Sequence, residues 1–575
     1  MTAIDVIPIA NLPRGKDCYS YTIPAQRVLP GQLVKIPFRR KRILGIVWSK
    51  TAATASYAMR EVIDLGPRII TNEQIDLIQR IIGVYGGSRS HMLHALVSAQ
   101  RSLVITPIKR VRRAQSRLLY IQSSQRQQRL LQTLVASRGQ SLVLAPTADS
   151  ALRAQQILQQ KTSAVLLTPQ TSAHEHRQIL ERLQQGEKCT VVGTRRSLLL
   201  PWNKLVAIAL IDEHHPAHVQ WDLEPRIDNR IAASWLAEIW GAKLVMSSPL
   251  PTLATYTSRS QVSFDLDPAA SPNIQCWPEP TDMGQQWCAW LTNQIVAGRS
   301  IKIVASPLKT QHAMCATCHT IAHCGTCDRP LQEQDGQWRC SWCNQPRALP
   351  ACGRCKGLDY RTLPSGPDLI RKTIERYLPD ISTRQYKIVQ PSSILSSIED
   401  QYAGPVSILY WDMFGSVPGG YTQAERGAQI VALLNESAQQ HPEYSMAVCN
   451  VPLQWMIEPT IAGFQQWYSS EIQARTQFRY PPAYPMVLLD RHRQKRDNSP
   501  DLQLSSLRQI AMRSNAELLG PYESRTRRKG FVDRTVVLIR SNMQQSLSDF
   551  CGNIVPHIPT GWSITPNPDH LPRFN

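Results

Sequence analysis

The chain has 575 residues, of which 64 are Lys or Arg and 43 are Asp or Glu, and its formal net charge is +21. This length allows several domains with large buried cores, and so strong a positive excess favours nucleic acid over a membrane as the partner, unless the source proteome is basic throughout. The first residues lack the apolar core of a secretory signal, and the longest apolar run, Leu205 to Ile211, is far shorter than a membrane span, which predicts a cytoplasmic protein.

Residues 1–105 are predicted to form a small β-rich domain. Between residues 5 and 50 apolar and polar side chains alternate, with proline and glycine between the runs, which is typical of the short strands of a small barrel or sandwich. Residues 72–100 have the periodicity of a helix, with Thr71 or Asn72 as its cap. A predicted hairpin tip carries four basic residues, Arg39, Arg40, Lys41 and Arg42. Such a tip either contacts phosphates or is a solvated turn.

Residues 106–116 are a short basic linker, after which predicted strands alternate with helices. The strand segments RLLYI, SLVLAP, SAVLLTP, KCTVVGT and LVAIALIDE are nearly continuous runs of apolar residues, mostly Val, Ile and Leu. Runs of this kind are typical of parallel strands that helices cover on both faces. The alternation therefore predicts a parallel α/β sheet that begins at residue 117.

The last of these strands leads into Asp212 and Glu213. In nucleotide-driven motors an Asp at this position orients Mg2+, and the adjacent Glu polarises the attacking water. The pair alone is a weak signal, but VVGTRRSLL before it and KLVMSSPLPTL after it follow the order of helicase motor domains. Three histidines follow, His214, His215 and His218, but without a convergent carboxylate they do not predict a metal site.

Four C-x2-C pairs follow one another between Cys315 and Cys355. Each such turn presents two thiolates to one metal ion and a closed zinc site takes four, so the eight cysteines predict two structural Zn2+ ions. The longer loop between the second and third pairs suits a zinc ribbon. On this argument, the inner four cysteines bind one ion and the outer four bind the other, although a sequential or interleaved pairing stays open. Disulfides are the alternative, which a reducing cytoplasm disfavours, and His319 or His323 could replace a thiolate. The eight candidate ligands are Cys315, Cys318, Cys324, Cys327, Cys340, Cys343, Cys352 and Cys355.

Taken together, these segments resemble the primosomal replication-restart (PriA) helicase family. The segments that carry the resemblance are LVKIPFRRKRILGIVW, LVLAP, VVGTRRSLLLPWNKLVAIALIDEHH, the four cysteine pairs, AERGAQIVALL and RYPPAYPMVLL, in that order. The resemblance implies an α/β multidomain chain whose amino-terminal domain holds a DNA 3′ end. It also implies two RecA-like domains, at 117–262 and 263–463, with a nested two-zinc insertion at 313–358 in the second.

A small α+β DNA-binding domain is expected at 464–575 by the same resemblance. A predicted loop there carries four basic residues, Arg525, Arg527, Arg528 and Lys529. In the family this region adds to the DNA-binding surface, and a solvated loop is the alternative.

The segments that would handle nucleotide depart from the family pattern. The phosphate-binding position, residues 122–127, reads QSSQRQ, with neither the glycines nor the lysine of a P-loop. The family's S-A-T motif is Ser248-Pro249-Leu250, and the arginine-finger segment reads ALLNESAQQ, without an arginine. The glycine-threonine-glutamine element and the winged-helix domain are not recognisable either. These losses predict that ATP and Mg2+ do not bind and make Asp212 and Glu213 relics.

The favoured hypothesis is a DNA-binding restart protein without ATPase or helicase activity. It would recognise forked or single-stranded DNA and help assemble a primosome, with single-strand-binding protein and replicative-helicase loading factors as partners. One alternative is an active ATP-dependent 3′-to-5′ DNA helicase with a rebuilt nucleotide site. Another is an RNA-binding zinc protein, which no feature separates from the DNA-binding hypothesis without the family resemblance.

Overall fold

The fold is taken from a computed structural model of the chain. The structure describes residues 2–24, 28–50, 59–100, 104–105, 118–122, 130–132, 134, 138–219, 224–257, 263–266, 274–276, 283–305, 311–318, 322–324, 331–334, 336–340, 346–364, 367–382, 384–389, 406–410, 421–440, 445–448, 461–493, 500–525 and 533–568. Within these ranges, no helix combines the length and the apolar character needed to cross a membrane.

The amino-terminal segment forms a small barrel, one of the two folds that the alternation predicted. Its strands are β1 (Thr2–Pro8), β2 (Tyr19–Ile23), β3 (Gln32–Phe38), β4 (Lys41–Lys50), β5 (Arg60–Glu61) and β6 (Asp64–Arg68), in the order β5-β2-β1-β4-β3-β6. Residues 60–68 close the barrel because Val62 N–H donates to Thr22 O and Ile63 N–H donates to Lys35 O, at 3.0 and 2.8 Å. Ile4, Val6 and Ile36 fill its interior.

Two helices pack on the outside of this barrel, where one was predicted. They are α1 (Asn72–Tyr85) and α2 (Arg89–Gln100). Thr71 caps α1 through a capping box with Gln74, as the sequence indicated. The break falls at Gly86 and Gly87, whose φ angles of +68° and +96° favour glycine and end the first helix.

The first α/β unit (residues 118–266) is a seven-stranded parallel sheet in the order β13-β7-β12-β11-β8-β10-β9. The strands are β7 (Leu118–Gln122), β8 (Gln140–Leu144), β9 (Ala164–Leu167), β10 (Thr190–Gly193), β11 (Leu205–Leu210), β12 (Lys243–Ser247) and β13 (Ser263–Leu266). Its helices include α3 (Ala148–Gln159), α4 (Ala173–Gln184), α5 (Asn229–Trp240) and the short α6 (Leu253–Thr257). Short 3-10 turns cover Arg195–Leu199 and Pro216–His218.

Both faces of this sheet are covered, which explains why its strands read as continuous apolar runs. On β8, Leu142 joins one buried cluster with α4 and α5, while Val143 joins another with α3. The predicted boundary at residue 262 is too early: β13 pairs in parallel with β7 and belongs to the first unit. A strand of four residues carries too little pattern to be assigned from sequence.

The second α/β unit is also parallel, and a separate sheet is inserted into it. The chain continues with β14 (Ile274–Cys276), α7 (Met283–Val296) and β15 (Ser300–Val304). The inserted antiparallel sheet follows, with β16 (Gln311–Cys315), β17 (Leu331–Gln334), β18 (Gln337–Cys340) and β19 (Tyr360–Pro364). The unit is completed by α8 (Pro367–Tyr377), β20 (Tyr386–Val389), β21 (Val406–Tyr410), α9 (Gln423–Gln440) and β22 (Ser445–Val448). Its strand order is β14-β22-β21-β15-β20.

The remaining elements form a four-stranded antiparallel sheet with helices. They are α10 (Ile461–Gln477), β23 (Met486–Arg493), α11 (Pro500–Arg513), β24 (Ala516–Arg525), β25 (Asp533–Ser541), α12 (Leu547–Ile554), a 3-10 turn (Val555–His557) and β26 (Ser563–Pro566). The strand order is β24-β25-β23-β26. This part is called the carboxy-terminal sheet below.

The barrel domain and the carboxy-terminal sheet both pack on the first α/β unit. Leu77 of α1, Leu236 of α5 and Phe550 of α12 belong to one continuous buried cluster. Arg14 Nη2 also donates to Ile558 O at 2.7 Å. Burial of this apolar surface stabilises the arrangement, since each fully buried Leu or Phe side chain contributes about 1.5–3 kcal/mol.

Candidate functional site

The predicted hairpin tip, Arg39 to Arg42, comprises the turn between β3 and β4 and the first two residues of β4, and all four of its residues are exposed. Its turn places Arg39 at φ +52°. The Arg39 guanidinium lies 5.6 Å from the centre of the Phe38 ring, and Arg60 Nη1 donates to Arg39 O at 3.3 Å. Tyr19 meets the edge of Phe38 with ring centres 5.1 Å apart. Cationic groups beside aromatic faces can contact phosphate and stack on bases.

The other predicted basic cluster falls largely outside the described residues. Arg525 is the last residue of β24 and lies opposite Asp533 of β25. Arg527, Arg528 and Lys529 lie outside the described residues. Contact of this loop with DNA therefore stays a prediction.

The outer four cysteines come together at one end of the inserted sheet. Their sulfurs all lie within 4.8 Å of one another, with 3.5 Å between the Cys315 and Cys355 sulfurs and 3.4 Å between those of Cys318 and Cys352. All four are free thiols. Sulfurs on a tetrahedron around Zn2+, each about 2.3 Å from the metal, would be about 3.8 Å apart. The donor set therefore fits a closed zinc site, and it is the grouping that the loop lengths predicted.

Backbone contacts position these thiols. Cys315 ends β16 and lies opposite Tyr360 of β19. Beyond it, Cys352 N–H donates to Gly357 O and Lys356 N–H donates to Cys352 O, both at 2.9 Å, and Lys356 takes φ +59° in this tight turn. Backbone N–H groups of Cys318 and Thr317 that point at the sulfur lower the pKa of Cys315. A lowered thiol pKa favours the thiolate, the form that binds metal.

The inner four cysteines are described only in part. Cys324 is buried and Cys340 ends β18, whereas Cys327 and Cys343 lie outside the described residues. Of the two intervening histidines, His323 is exposed and His319 lies outside the described residues. A second zinc site therefore stays a prediction.

Asp212 and Glu213 lie at the end of β11, where the sequence predicted them. Asp212 takes φ +50°. Glu213 is fully buried, and its carboxylate accepts three hydrogen bonds from the start of α6. Thr252 N–H donates to Oε2 at 2.9 Å, while the hydroxyls of Thr252 and Thr255 donate to Oε1 at 2.5 and 2.6 Å. Burial raises the pKa of Glu213, against the opposing effect of the positive charge on Arg230.

These partners were missed by sequence reasoning, although a signal was present. The spacing of a capped helix start is present in Pro251, Thr252 and Thr255, and in such a start a hydroxyl side chain accepts a hydrogen bond from the first turn.

The segment before these residues also differs from a motor motif. Ser248 Oγ donates to Leu250 O at 2.6 Å, so its hydroxyl is engaged within the segment. The Glu213 carboxylate thus serves as a structural acceptor in this arrangement.

Two of the histidines that follow Glu213, His215 and His218, have structural roles. Burial lowers the pKa of His218 to about 3, and its Nε2 contacts Ile211 O at 2.9 Å, which fits a neutral ring. His215 Nδ1 accepts from Ala217 N–H at 3.1 Å and so caps a 3-10 turn. Within the described residues, the outer cysteines are the group of side chains found close enough to hold a metal ion.

The predicted phosphate-binding position begins at Gln122, the last residue of β7, and its residues 123–127 lie outside the described residues. The segment that the resemblance aligned with an arginine finger, residues 432–440, is the second half of α9. The sequence has no lysine at residues 122–127 and no arginine at residues 432–440.

Comparison with known proteins identifies relatives of part of the chain. Residues 6–98 match the family model of the PriA 3′ DNA-binding domain. Proteins named Replication restart protein PriA are similar over longer stretches. Those from Borreliella burgdorferi and Helicobacter pylori strain J99 are 22% and 24% identical, over 39% and 40% of this chain and 35% and 40% of theirs. The one from Bacillus subtilis is 21% identical over 54% of this chain and 44% of its own.

The aligned part of this chain thus spans less than half the length of these relatives. Their shared name agrees with the resemblance carried by the sequence motifs. Over the aligned part, the chain is similar to these replication restart proteins, and its residues 6–98 are similar to a 3′ DNA-binding domain.

Proposed function

We propose that this chain is a replication-restart protein that binds forked or single-stranded DNA and does not hydrolyse ATP. The observation that carries the proposal is the hairpin tip, whose exposed basic residues and flanking aromatic rings lie within the segment that matches a 3′ DNA-binding domain. The net charge of +21 supports the same partner because neutralising phosphates releases counterions from DNA. A protein of this kind acts in the cytoplasm.

The absence of ATP hydrolysis is inferred from two independent features. The phosphate-binding position has no glycine or lysine in its sequence, so it lacks the glycines and the lysine with which a P-loop cradles and neutralises phosphates. Glu213 is buried and directs both carboxylate oxygens at α6. A general base must reach the proton that it abstracts, and this carboxylate points into protein.

Zinc has a structural role in this proposal. The outer four cysteines would hold one Zn2+ and the inner four a second, and together they would fix the inserted sheet within a RecA-like second unit. A closed site of four thiolates leaves no open position for substrate, so the ions would supply folding free energy rather than chemistry. Single-strand-binding protein and the loading factors of a replicative helicase are the proposed protein partners in primosome assembly.

The test is a binding titration of fluorescent forked DNA. We expect neutralisation of the whole hairpin tip (Arg39→Ser, Arg40→Ser, Lys41→Ser and Arg42→Ser) to weaken binding by about tenfold or more. A matched control removes the same charge from exposed residues of the first α/β unit, through Lys161→Ser, Arg177→Ser, Lys188→Ser and Lys243→Ser.

The outcomes separate the hypotheses. An equal loss in both variants would contradict a specific DNA contact at the hairpin tip. Tighter binding of a single-stranded RNA of the same sequence would favour the RNA-binding alternative. ATP hydrolysis that forked DNA stimulates would restore the helicase alternative, whereas we expect ATP to leave DNA affinity unchanged.

A further inference from the structure

The start of α6 is the place where the two α/β units are joined by buried polar contacts. Glu213, which follows β11 of the first unit, accepts from Thr252 at this turn. Leu253 N–H, one residue further on, donates to Glu425 Oε1 at 2.8 Å. Glu425 lies in the first turn of α9 in the second unit and is 7% exposed. One turn of backbone therefore binds a carboxylate from each unit.

Glu425 is bound from its other side by Arg475 of α10. Arg475 Nη2 donates to Glu425 Oε2 at 2.7 Å, and its Nε donates to Glu471 Oε1 at 2.8 Å. Its Nη1 donates to Pro481 O at 3.3 Å, and its guanidinium lies 5.2 Å from the centre of the Tyr421 ring. Arg475 is only 5% exposed, so this cation is held entirely by protein groups.

A second set of contacts joins α10 to α6 directly. Tyr468 Oη donates to Pro251 O at 2.7 Å, and its ring stacks on that of Tyr256 with 3.9 Å between centres and 2° between planes. Helix α10 therefore contacts Pro251, two residues before α6, and Tyr256 within α6, while its Arg475 contacts the second unit.

Buried ion pairs are costly to break because the remaining charge loses its partner in a dry environment. Removal of one member of such a pair is therefore strongly destabilising. Moving the second unit away from α6 would separate Glu425 from Leu253 N–H and would also disturb Arg475. Any opening between the units at this point therefore exposes several charged groups at once.

We propose that Glu425, Arg475 and the start of α6 form a latch that holds the two α/β units in one fixed arrangement, with or without DNA and nucleotide. The latch goes beyond the proposed function because a DNA-binding protein without ATP hydrolysis could still have units that move. With this latch closed, the two units behave as one rigid body. The distance between DNA-binding surfaces on the two units then stays constant.

The test measures the distance between the units by double electron–electron resonance. Spin-labelled non-natural amino acids replace two exposed lysines, one in each unit. They are Lys161, in the loop between α3 and β9 of the first unit, and Lys372, in α8 of the second unit. The label chemistry leaves the cysteines intact. We expect one narrow distance distribution in the doubly labelled protein, unchanged by forked DNA or by a non-hydrolysable ATP analogue. The same protein with Arg475→Met should show a broadened distribution.

Glu425→Gln is the milder variant, and it keeps the proposal testable if Arg475→Met does not fold. We expect it to broaden the distribution as well, because it removes the charge that pairs with Arg475. Glu187→Gln is the matched control, since it breaks an exposed pair with Arg182. The proposal is overturned if the unsubstituted protein shows two distances or shifts with either ligand. It is also overturned if Arg475→Met, folded by circular dichroism, keeps a narrow distribution.

Forked-DNA affinity measured on the same samples distinguishes this proposal from the proposed function. If the two units move and DNA binding is intact, the latch proposal is refuted and the proposed function is not. If the two units are fixed and the protein does not bind DNA, the proposed function is refuted and the latch proposal is not.

Discussion

Substitution of Glu213 separates a structural carboxylate from a catalytic one. Glu213→Ala removes the acceptor of three hydrogen bonds from the start of α6. The Thr252 and Thr255 hydroxyls lie 3.1 Å apart and can pair with each other, but Thr252 N–H is left without its acceptor in a dry site. One unsatisfied buried donor costs about 1–3 kcal/mol. With the cavity included, we expect local stability at α6 to fall by about 3 kcal/mol.

Glu213→Gln should be much milder. The amide oxygen can accept from Thr252 N–H, and the amide nitrogen can then donate to the two threonine hydroxyls, which rotate to receive it. The loss is limited to the charge assistance of these bonds, so we expect about 1 kcal/mol or less. The assay is native-state hydrogen exchange of the amides of residues 253–257, because a chain of several domains does not define one free energy of unfolding. Glu187→Gln is the control at an exposed carboxylate.

The pH dependence gives the sign of the burial effect. Burial raises the pKa of Glu213 above its ordinary value of 4.5. The folded protein therefore binds this proton more tightly than the unfolded chain, and the resulting stability is fully present below pH 4.5 and is lost as the pH rises through the folded pKa. The stability of the unsubstituted protein relative to Glu213→Gln should increase as the pH falls from neutral towards this range.

Three results would refute this reasoning. Equal effects of the Ala and Gln variants would show that the hydrogen bonds do not carry the stability. A stability difference that is flat or falls with decreasing pH would show that burial does not dominate the pKa. DNA-stimulated ATP hydrolysis that Glu213→Gln abolishes would show that the carboxylate activates water.

Other predictions concern the metal, the DNA and a buried histidine. Metal analysis should find two Zn2+ per chain, falling to one in Cys352→Ser with Cys355→Ser, whereas Cys189→Ala, which alters a buried thiol outside the motifs, should keep both. Arg40→Ala and Lys41→Ala should each make the negative slope of log affinity for single-stranded DNA against log salt shallower by about 0.7, while Arg177→Ala should not; an unchanged slope would exclude a phosphate contact. Because burial lowers the pKa of His218 to about 3, the stability from its neutral ring should be present above pH 6.5 and be lost as the pH falls from there towards 3. Hydrogen exchange near Ile211 should show this loss in the unsubstituted protein and not in His218→Gln.

The sequence predicted best where local pattern and burial agree. The strands of the first α/β unit were found because helices cover both faces and leave continuous apolar runs. The outer cysteines were grouped from loop length alone, and their sulfurs lie together. By contrast, the helical period was read through Gly86 and Gly87, although paired glycines are a strong break signal.

Contacts between distant segments were beyond the sequence. Glu213 and Thr252 are hydrogen-bonded although they are 39 residues apart in the sequence, and Leu253 and Glu425 are hydrogen-bonded although they are 172 residues apart. Nothing in the periodicity of either segment specifies the other, since these pairs depend on how two sheets are placed. From the sequence alone, Glu213 could therefore be described only as a relic of a motor motif. Its hydrogen-bond partners could be identified only from the fold.

The shared packing of the barrel domain and the carboxy-terminal sheet has a consequence for biosynthesis. Arg14 and Ile558 are 544 residues apart in the chain, yet they are joined by a hydrogen bond beside the common apolar cluster. At about 5–20 residues per second, a ribosome needs roughly 30–110 s to synthesise the intervening chain. For most of that interval, the part of α1 that later meets α12 stays uncovered. This part of the nascent protein is therefore open to non-native apolar contacts until α12 has been synthesised.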